Sequence, residues 1–192
     1  METRKEIVAD ILHLFKEKGH SEYGGEAVTQ LEHALQTASL AVKENSSSHL
    51  ITAALLHDIG HLLHDLPDDA PLNGVDDVHE NKAAVYLRKY FPEEVTEPVR
   101  LHVEAKRYLS TTDSTYYDLL SEPSKQSLAL QGGLMSEDEL ALFEQNSFFS
   151  DATKLRKWDD QAKIKELPTE PIEYYTAHLS QSLRIYFSED SL

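Results

Sequence analysis

Apolar residues return every three or four positions along most of the chain, and runs alternating with period two are nearly absent, so the pattern predicts an all-α fold. Ile7, Ile11, Leu14 and Phe15 form the stripe of a first helix that ends near Gly19. A polar stretch from His20 to Gly25 leads to a second helix over 29–44, with Thr29 placed to cap it. The segment from His49 to His64, with LITAALLHDIGHLL inside it, is the most apolar of the chain and predicts a helix buried on most sides, histidines included. LPDDAPLNG predicts a loop, followed by a helix over 76–91 that Pro92 stops and a helix over 93–109. A polar turn over 111–114, a short helix from Pro123 to Leu130 and a break at Gly132-Gly133 come next. Ser136 and Glu139 have capping-box spacing for a helix through Gln145, and helices over 151–162 and 172–187 complete the pattern. No repeat, linker or low-complexity stretch divides the chain, which reads as a single domain over 1–192 with its core at about 29–160.

Charge and composition narrow the partners. Asp and Glu number 34 against 18 Lys and Arg, a formal net charge of -16, so the exterior repels nucleic acid and anionic membranes, while a locally positive pocket still admits a small anion. At this length a domain buries about 70% of its unfolded surface and can enclose an interior site. With no Cys, disulfides, thiolate metal sites and thiol catalysis are excluded, and any metal must use His and carboxylate. The first residues interleave acids with apolar positions, unlike a signal peptide, and no apolar run approaches a membrane span, so a soluble cytoplasmic protein is expected.

His57 and Asp58 are adjacent in LLHDIGH, and His61 follows one turn later, so on one helix His57 and His61 would share a face and Asp58 a neighbouring one. Burying three such groups is costly unless they are paired or hold a cation. A lone His–Asp pair also fits a hydrogen-bonded core histidine beside a solvated aspartate. Here the pair has company: His33 upstream, His79 and His102 downstream, and Asp159 near the end. That donor set suits one or two ions of iron, manganese or a similar metal and is too rich in nitrogen for Mg²⁺ alone.

The order H…HD…H…H…D resembles the HD-domain superfamily over about residues 29–160. Further stretches are similar to a smaller family, the HD-type di-iron oxygenases that cleave organophosphonates: EYGGE at 22–26, LLHDIGH at 55–61, RLHVEAKRYL at 100–109, YYDLLSEPSKQSLALQGG at 116–133 and LRKWDD at 155–160. The resemblance implies an HD-domain helical bundle with a buried dinuclear site, two iron ions as an Fe(II)/Fe(III) pair, and O₂ as co-substrate. It implies that His33, His57 and Asp159 hold one iron, that His79 and His102 hold the other, and that Asp58 bridges them. Lys106, Ser124, Gln131 and His61 would bind the phosphonate; taken alone, Lys106 reads as an ordinary solvated lysine. Tyr23 and Glu26 would belong to a lid hinged at Gly24-Gly25, with Tyr23 an iron ligand at rest and Glu26 the partner of a substrate amine.

The implied reaction is oxidative cleavage of the carbon–phosphorus bond of a small 1-hydroxyphosphonate. The amine-binding role of Glu26 favours (R)-2-amino-1-hydroxyethylphosphonate, which would yield glycine and phosphate. A trimethylammonium or other homologue is an alternative, as are an HD phosphohydrolase, which needs no O₂, and a helical binding module with a structural metal. Arg156 is expected to orient Asp159 from behind, and Trp158 to lie in the core. His13, His20, His49, His64 and His178 fall outside the series and are expected at the surface or at helix ends. DLPDDAPLNGVDD lacks calcium-loop spacing and is expected to be a solvated acidic loop, and no flavin or nicotinamide motif is present.

Overall fold

A computed structural model describes residues 2–63 and 78–185. The described residues contain no strand, only an isolated antiparallel bridge between Glu22 and Thr29, and no helix long and apolar enough to cross a membrane. The helices are α1 (Arg4–Lys18), α2 (Gln30–Lys43), α3 (Ser48–Leu56), α4 (Ile59–Leu62), α5 (His79–Leu87), α6 (Glu93–Thr112), α7 (Ser114–Leu119), α8 (Glu122–Leu130), α9 (Glu137–Glu144), α10 (Phe149–Gln161) and α11 (Thr176–Ser182), with a 3₁₀ turn at Ile172–Tyr175. Capping boxes close the N-termini of α1, α2 and α9, at Thr3, Thr29 and Ser136, each with Glu three residues on.

Helix α6 is the axis of the bundle: α10, α5 and α3 pack around it, and α2 lies against both α3 and α10. The main core joins Ile7, Ile11 and Phe15 of α1 to Leu55, Leu56, Ile59, Leu87, Phe91, Leu155 and Trp158. Trp158 lies in this core as expected, and its indole N–H donates to Glu44 at 2.9 Å. A smaller cluster of Leu101, Ala105, Met135, Phe143 and Ala152 holds α9 against α6 and α10. His13 and His20 are exposed, and His49 and His178 are half-buried at the periphery.

One expectation changes in a way that matters. The apolar run read as a single helix from His49 onward is two helices, and the break between α3 and α4 falls on His57 and Asp58. Asp58 leaves helical geometry at φ -103°, ψ 12°, so it and His57 turn into one site instead of lying on adjoining faces. Just past the turn, Gly60 lets α4 approach the backbone at His79, where a β-carbon would overlap the His79 carbonyl oxygen. The polar turn expected over 111–114 shrinks to Asp113, since α6 runs on to Thr112 and α7 starts at Ser114, and the helix expected over 172–187 is a 3₁₀ turn followed by the short α11. His64, the LPDDAPLNG loop, the acidic run and the first turn of the helix expected from 76 lie outside the described residues, as do residues 186–192.

Candidate metal centre and active site

Four separate elements bring the histidines together: α2 carries His33, the α3–α4 break His57 and Asp58, α5 His79 and α6 His102, while α10 adds Asp159 near its end. His33, His57 and Asp159 are completely buried and Asp58 nearly so. His33 donates from Nδ1 to the Ala162 carbonyl at 2.9 Å, His57 to the Ala54 carbonyl at 2.9 Å and His102 to the Val99 carbonyl at 2.7 Å. With the proton committed at Nδ1, a neutral ring presents a lone pair at Nε2. Those lone pairs converge in two sets: His33 Nε2 stands 3.1 Å from His57 Nε2, and His79 Nε2 stands 3.2 Å from His102 Nε2.

Asp58 lies between the sets. Its Oδ2 is 3.3 Å from His57 Nε2 and 3.5 Å from His33 Nε2, while its Oδ1 is 3.3 Å from His79 Nε2 and 3.4 Å from His102 Nε2. Asp159 faces the first set alone, with Oδ1 3.4 Å from His33 Nε2. Both Asp58 oxygens are buried without a hydrogen-bond partner, whereas Asp159 Oδ2 already meets the Arg156 guanidinium. Buried carboxylate oxygens and acceptor nitrogens aimed at shared points need cations between them, so the donor set fits metal ions, and two groupings of ligand atoms, His33–His57–Asp58 and Asp58–His61–His79, are close enough to hold one.

Electrostatics keeps both carboxylates and His102 in ligating form, while against its burial the two aspartates raise His57. Burial works against the Asp159 charge, but the Arg156 guanidinium and His33 hold its carboxyl well below the usual carboxylate range; for Asp58, His57 and His79 do the same against burial. Burial pushes His102 down to about 3 despite the pull of Asp58, so it stays neutral. Arg156, the residue expected beside Asp159, has Nη1 2.7 Å from Asp159 Oδ2, and its other nitrogens bond Asp160 and the Tyr116 hydroxyl.

A cavity of about 80 Å³ opens beside His79 and His102, and Tyr23, Glu26, His61, Lys106, Ser124 and Gln131 all line it, together with Arg156. Lys106 is buried and donates to Ser127 at 2.7 Å, and burial drops its amine to about 7. The His61 ring stacks on His79 at 4.1 Å, and the buried Gln131 Oε1 has no hydrogen-bond partner. Tyr23 stacks on His33 at 3.9 Å with its hydroxyl 3.5 Å from Asp159 Oδ1, so it covers the first set of ligands. The backbone of this loop turns at Gly24 and Gly25, both at positive φ, which favours glycine there.

The sequence did not single out Lys163. It lines the same cavity, its Nζ 3.1 Å from Glu26 Oε1 and 2.8 Å from Ser124 Oγ, so Glu26 already has a cationic partner. Its spacing from Asp159 equals that of Lys106 from His102, the one signal that could have found it.

The family model of the HD domain matches residues 30–131. The chain is 45% identical over 182 residues to the hydroxymethylphosphonate dioxygenase of Gimesia maris, an alignment covering 94% of this chain and 90% of that protein. It is 40% identical over 166 residues to the (1-hydroxy-2-(trimethylamino)ethyl)phosphonate dioxygenase (glycine-betaine-forming) of Leisingera caerulea, covering 86% and 85%. An uncharacterised protein of Acanthamoeba polyphaga mimivirus is 38% identical over 177 residues, 91% of this chain and 81% of that protein. A helical bundle that converges these histidines and aspartates, and an alignment that runs nearly end to end, make this chain a member of the HD-domain family, in the branch that contains these phosphonate dioxygenases.

Proposed function

We propose that this protein uses O₂ to cleave the carbon–phosphorus bond of a small 1-hydroxyphosphonate at a pair of iron ions. The observation that carries the reading is Asp58, whose two oxygens each face a different pair of imidazole nitrogens. His33, His57 and Asp159 would hold one ion and His79 and His102 the other, with Asp58 within reach of both. Bound there, the two irons supply Lewis acidity and the redox capacity to use O₂. The names of two relatives, dioxygenases of hydroxyphosphonates, support the substrate class.

The chain's own groups do the rest. Lys106, with Ser124, Gln131 and His61, meets the phosphonate oxygens, which a cationic pocket favours and the acidic exterior does not. Arg156 orients the Asp159 carboxylate by a close ion pair at 2.7 Å. Tyr23 covers the His33 side and must swing aside on the Gly24-Gly25 turn for substrate to reach the ligands there, which excludes water and wasteful O₂ use from the resting site. The stoichiometry closes without an external reductant: a 1-hydroxyphosphonate and one O₂ contain the atoms of one carboxylic acid and one phosphate, the carbon being oxidised and dioxygen reduced.

Phosphorus-31 NMR of the iron-loaded protein with hydroxymethylphosphonate and with 2-amino-1-hydroxyethylphosphonate, in air and under argon, tests the reading. Inorganic phosphate is expected in air alone. Turnover of a phosphate ester under argon, with neither phosphonate consumed in air, replaces it by a hydrolase.

A further inference from the structure

Glu26 is the residue through which an aminated substrate would be recognised, yet its carboxylate is already engaged. Lys163 Nζ lies 3.1 Å from Glu26 Oε1, the Ser121 hydroxyl donates to the same oxygen at 2.5 Å, and the side chains of Lys163 and Glu26 are only 13% and 14% exposed. Lys163 also donates to Ser124 at 2.8 Å and stands 5.9 Å above the Tyr23 ring.

The backbone holds it there. Lys163 follows the end of α10, and the chain is pinned on both sides of it: the Ala162 carbonyl accepts from His33, while Ile164 gives its N–H to Gln36 Oε1 at 3.1 Å and takes Gln36 Nε2 on its carbonyl at 2.8 Å. A lysine so placed does not drift out to solvent when substrate enters. A partly buried carboxylate with one cation in contact has little attraction left for a second, and an incoming ammonium would share a small volume with the Lys163 ammonium. The charges facing the cavity from α6, α10 and the segment after it are those of Lys106, Arg156 and Lys163.

We infer that Lys163 is a specificity-determining residue which occupies Glu26 and sets the cavity for a 1-hydroxyphosphonate that carries no cationic substituent, as in hydroxymethylphosphonate. Glu26 then acts as a positioning residue for Lys163. The inference rests on the reading of the site as a phosphonate oxygenase and names the substrate class within it.

The test compares the iron-loaded full chain with K163Q, which keeps a hydrogen-bonding side chain without the charge, and with K163R, which keeps the charge. For each, kcat and KM are measured on hydroxymethylphosphonate and on 2-amino-1-hydroxyethylphosphonate, and the binding of both is measured by calorimetry under argon, where no turnover occurs. The wild type is expected to favour the unaminated substrate at least tenfold in kcat/KM. K163Q should move that ratio tenfold or more toward the aminated one, mainly in KM and in the argon affinities, and K163R should keep the wild-type preference. A wild type that prefers the aminated substrate, or a K163Q ratio within threefold of wild type, overturns the inference while leaving the oxygenase reading intact. No phosphate from either substrate with the wild type in air overturns both. Should K163Q lose metal, E26Q decides: equal losses on the two substrates support Glu26 as the holder of Lys163, and a loss confined to the aminated substrate overturns that role.

Discussion

His33 and His57 point their Nε2 atoms at each other across 3.1 Å while both spend the Nδ1 proton on a backbone carbonyl. Two lone pairs that close repel, and a cation between them turns the repulsion into two bonds. The metal is therefore part of the stability of the core. Chelation of the purified protein is expected to lower its melting temperature, and Fe²⁺ or Mn²⁺ to restore it, with two ions bound per chain by elemental analysis. Ligand at a hundred times its Kd adds about 2.7 kcal/mol per site, which for a domain of this size is roughly 5–10 °C. Equal melting with and without metal would remove this account.

Gly60 predicts a more local failure. Its α-carbon lies so near the His79 backbone that the added methyl of Gly60→Ala meets the carbonyl oxygen, and backbone yields less readily than a side chain. The expected cost is about 1–3 kcal/mol, as for other overpacked sites. The displaced element is α5, so bound metal should fall from two ions toward one, with the His33–His57 ion retained. Denaturant unfolding and metal content on the same sample check both halves.

Lys106 predicts a pH dependence with two opposite signs. Burial has lowered its amine to about 7 from 10.5, so the folded chain holds fewer protons than the unfolded one between those values. Stability of the unliganded protein should accordingly rise as pH climbs from about 7 toward 10, and this increment should vanish in Lys106→Met. If the charged amine meets the phosphonate, as proposed, affinity under argon should fall as pH rises past about 7, approaching tenfold per unit. Lys106→Arg, which does not titrate there, should lose that decline, separating it from the ionisation of the phosphonate itself.

Tyr23 predicts a spectroscopic change. Its hydroxyl is 3.5 Å from Asp159 Oδ1 and its ring covers His33, so if those residues hold a ferric ion, as proposed, a small movement would bring the oxygen to it. A phenolate on ferric iron absorbs visible light. The oxidised iron-loaded protein should show such a band, substrate should bleach it, and Tyr23→Phe should lack it while consuming O₂ faster without substrate. A band unchanged in Tyr23→Phe would assign the colour elsewhere and leave Tyr23 a packing residue.

Most of the helical content was legible because the longer helices carry apolar stripes, and the capping residues Thr29 and Ser136 marked the starts of α2 and α9; α7, which buries none of its residues, left no such trace. The histidines were legible as a series because each sits on a different element, and their order survives folding. The break at His57 and Asp58 was not: LITAALLHDIGHLL satisfies the pattern of one buried helix, and the contact beside the break, Gly60 against the His79 backbone, is not local in the sequence. Lys163 was hidden for a similar reason. It sits past the end of α10, where periodicity says nothing, and its direction is set by His33 and Gln36 more than a hundred positions earlier in the chain.

The contrast between a chain of net charge -16 and a cavity faced by Lys106, Lys163 and Arg156 has a consequence for traffic. An anion approaching from solution climbs an unfavourable potential before it reaches the cations that hold it, and dissolved salt lowers that barrier within a Debye length of about 8–10 Å. The same outer field acts on phosphate once it has left the cavity, driving it outward and opposing its return. A single distribution of charge thus opposes the entry of substrate and the return of product alike.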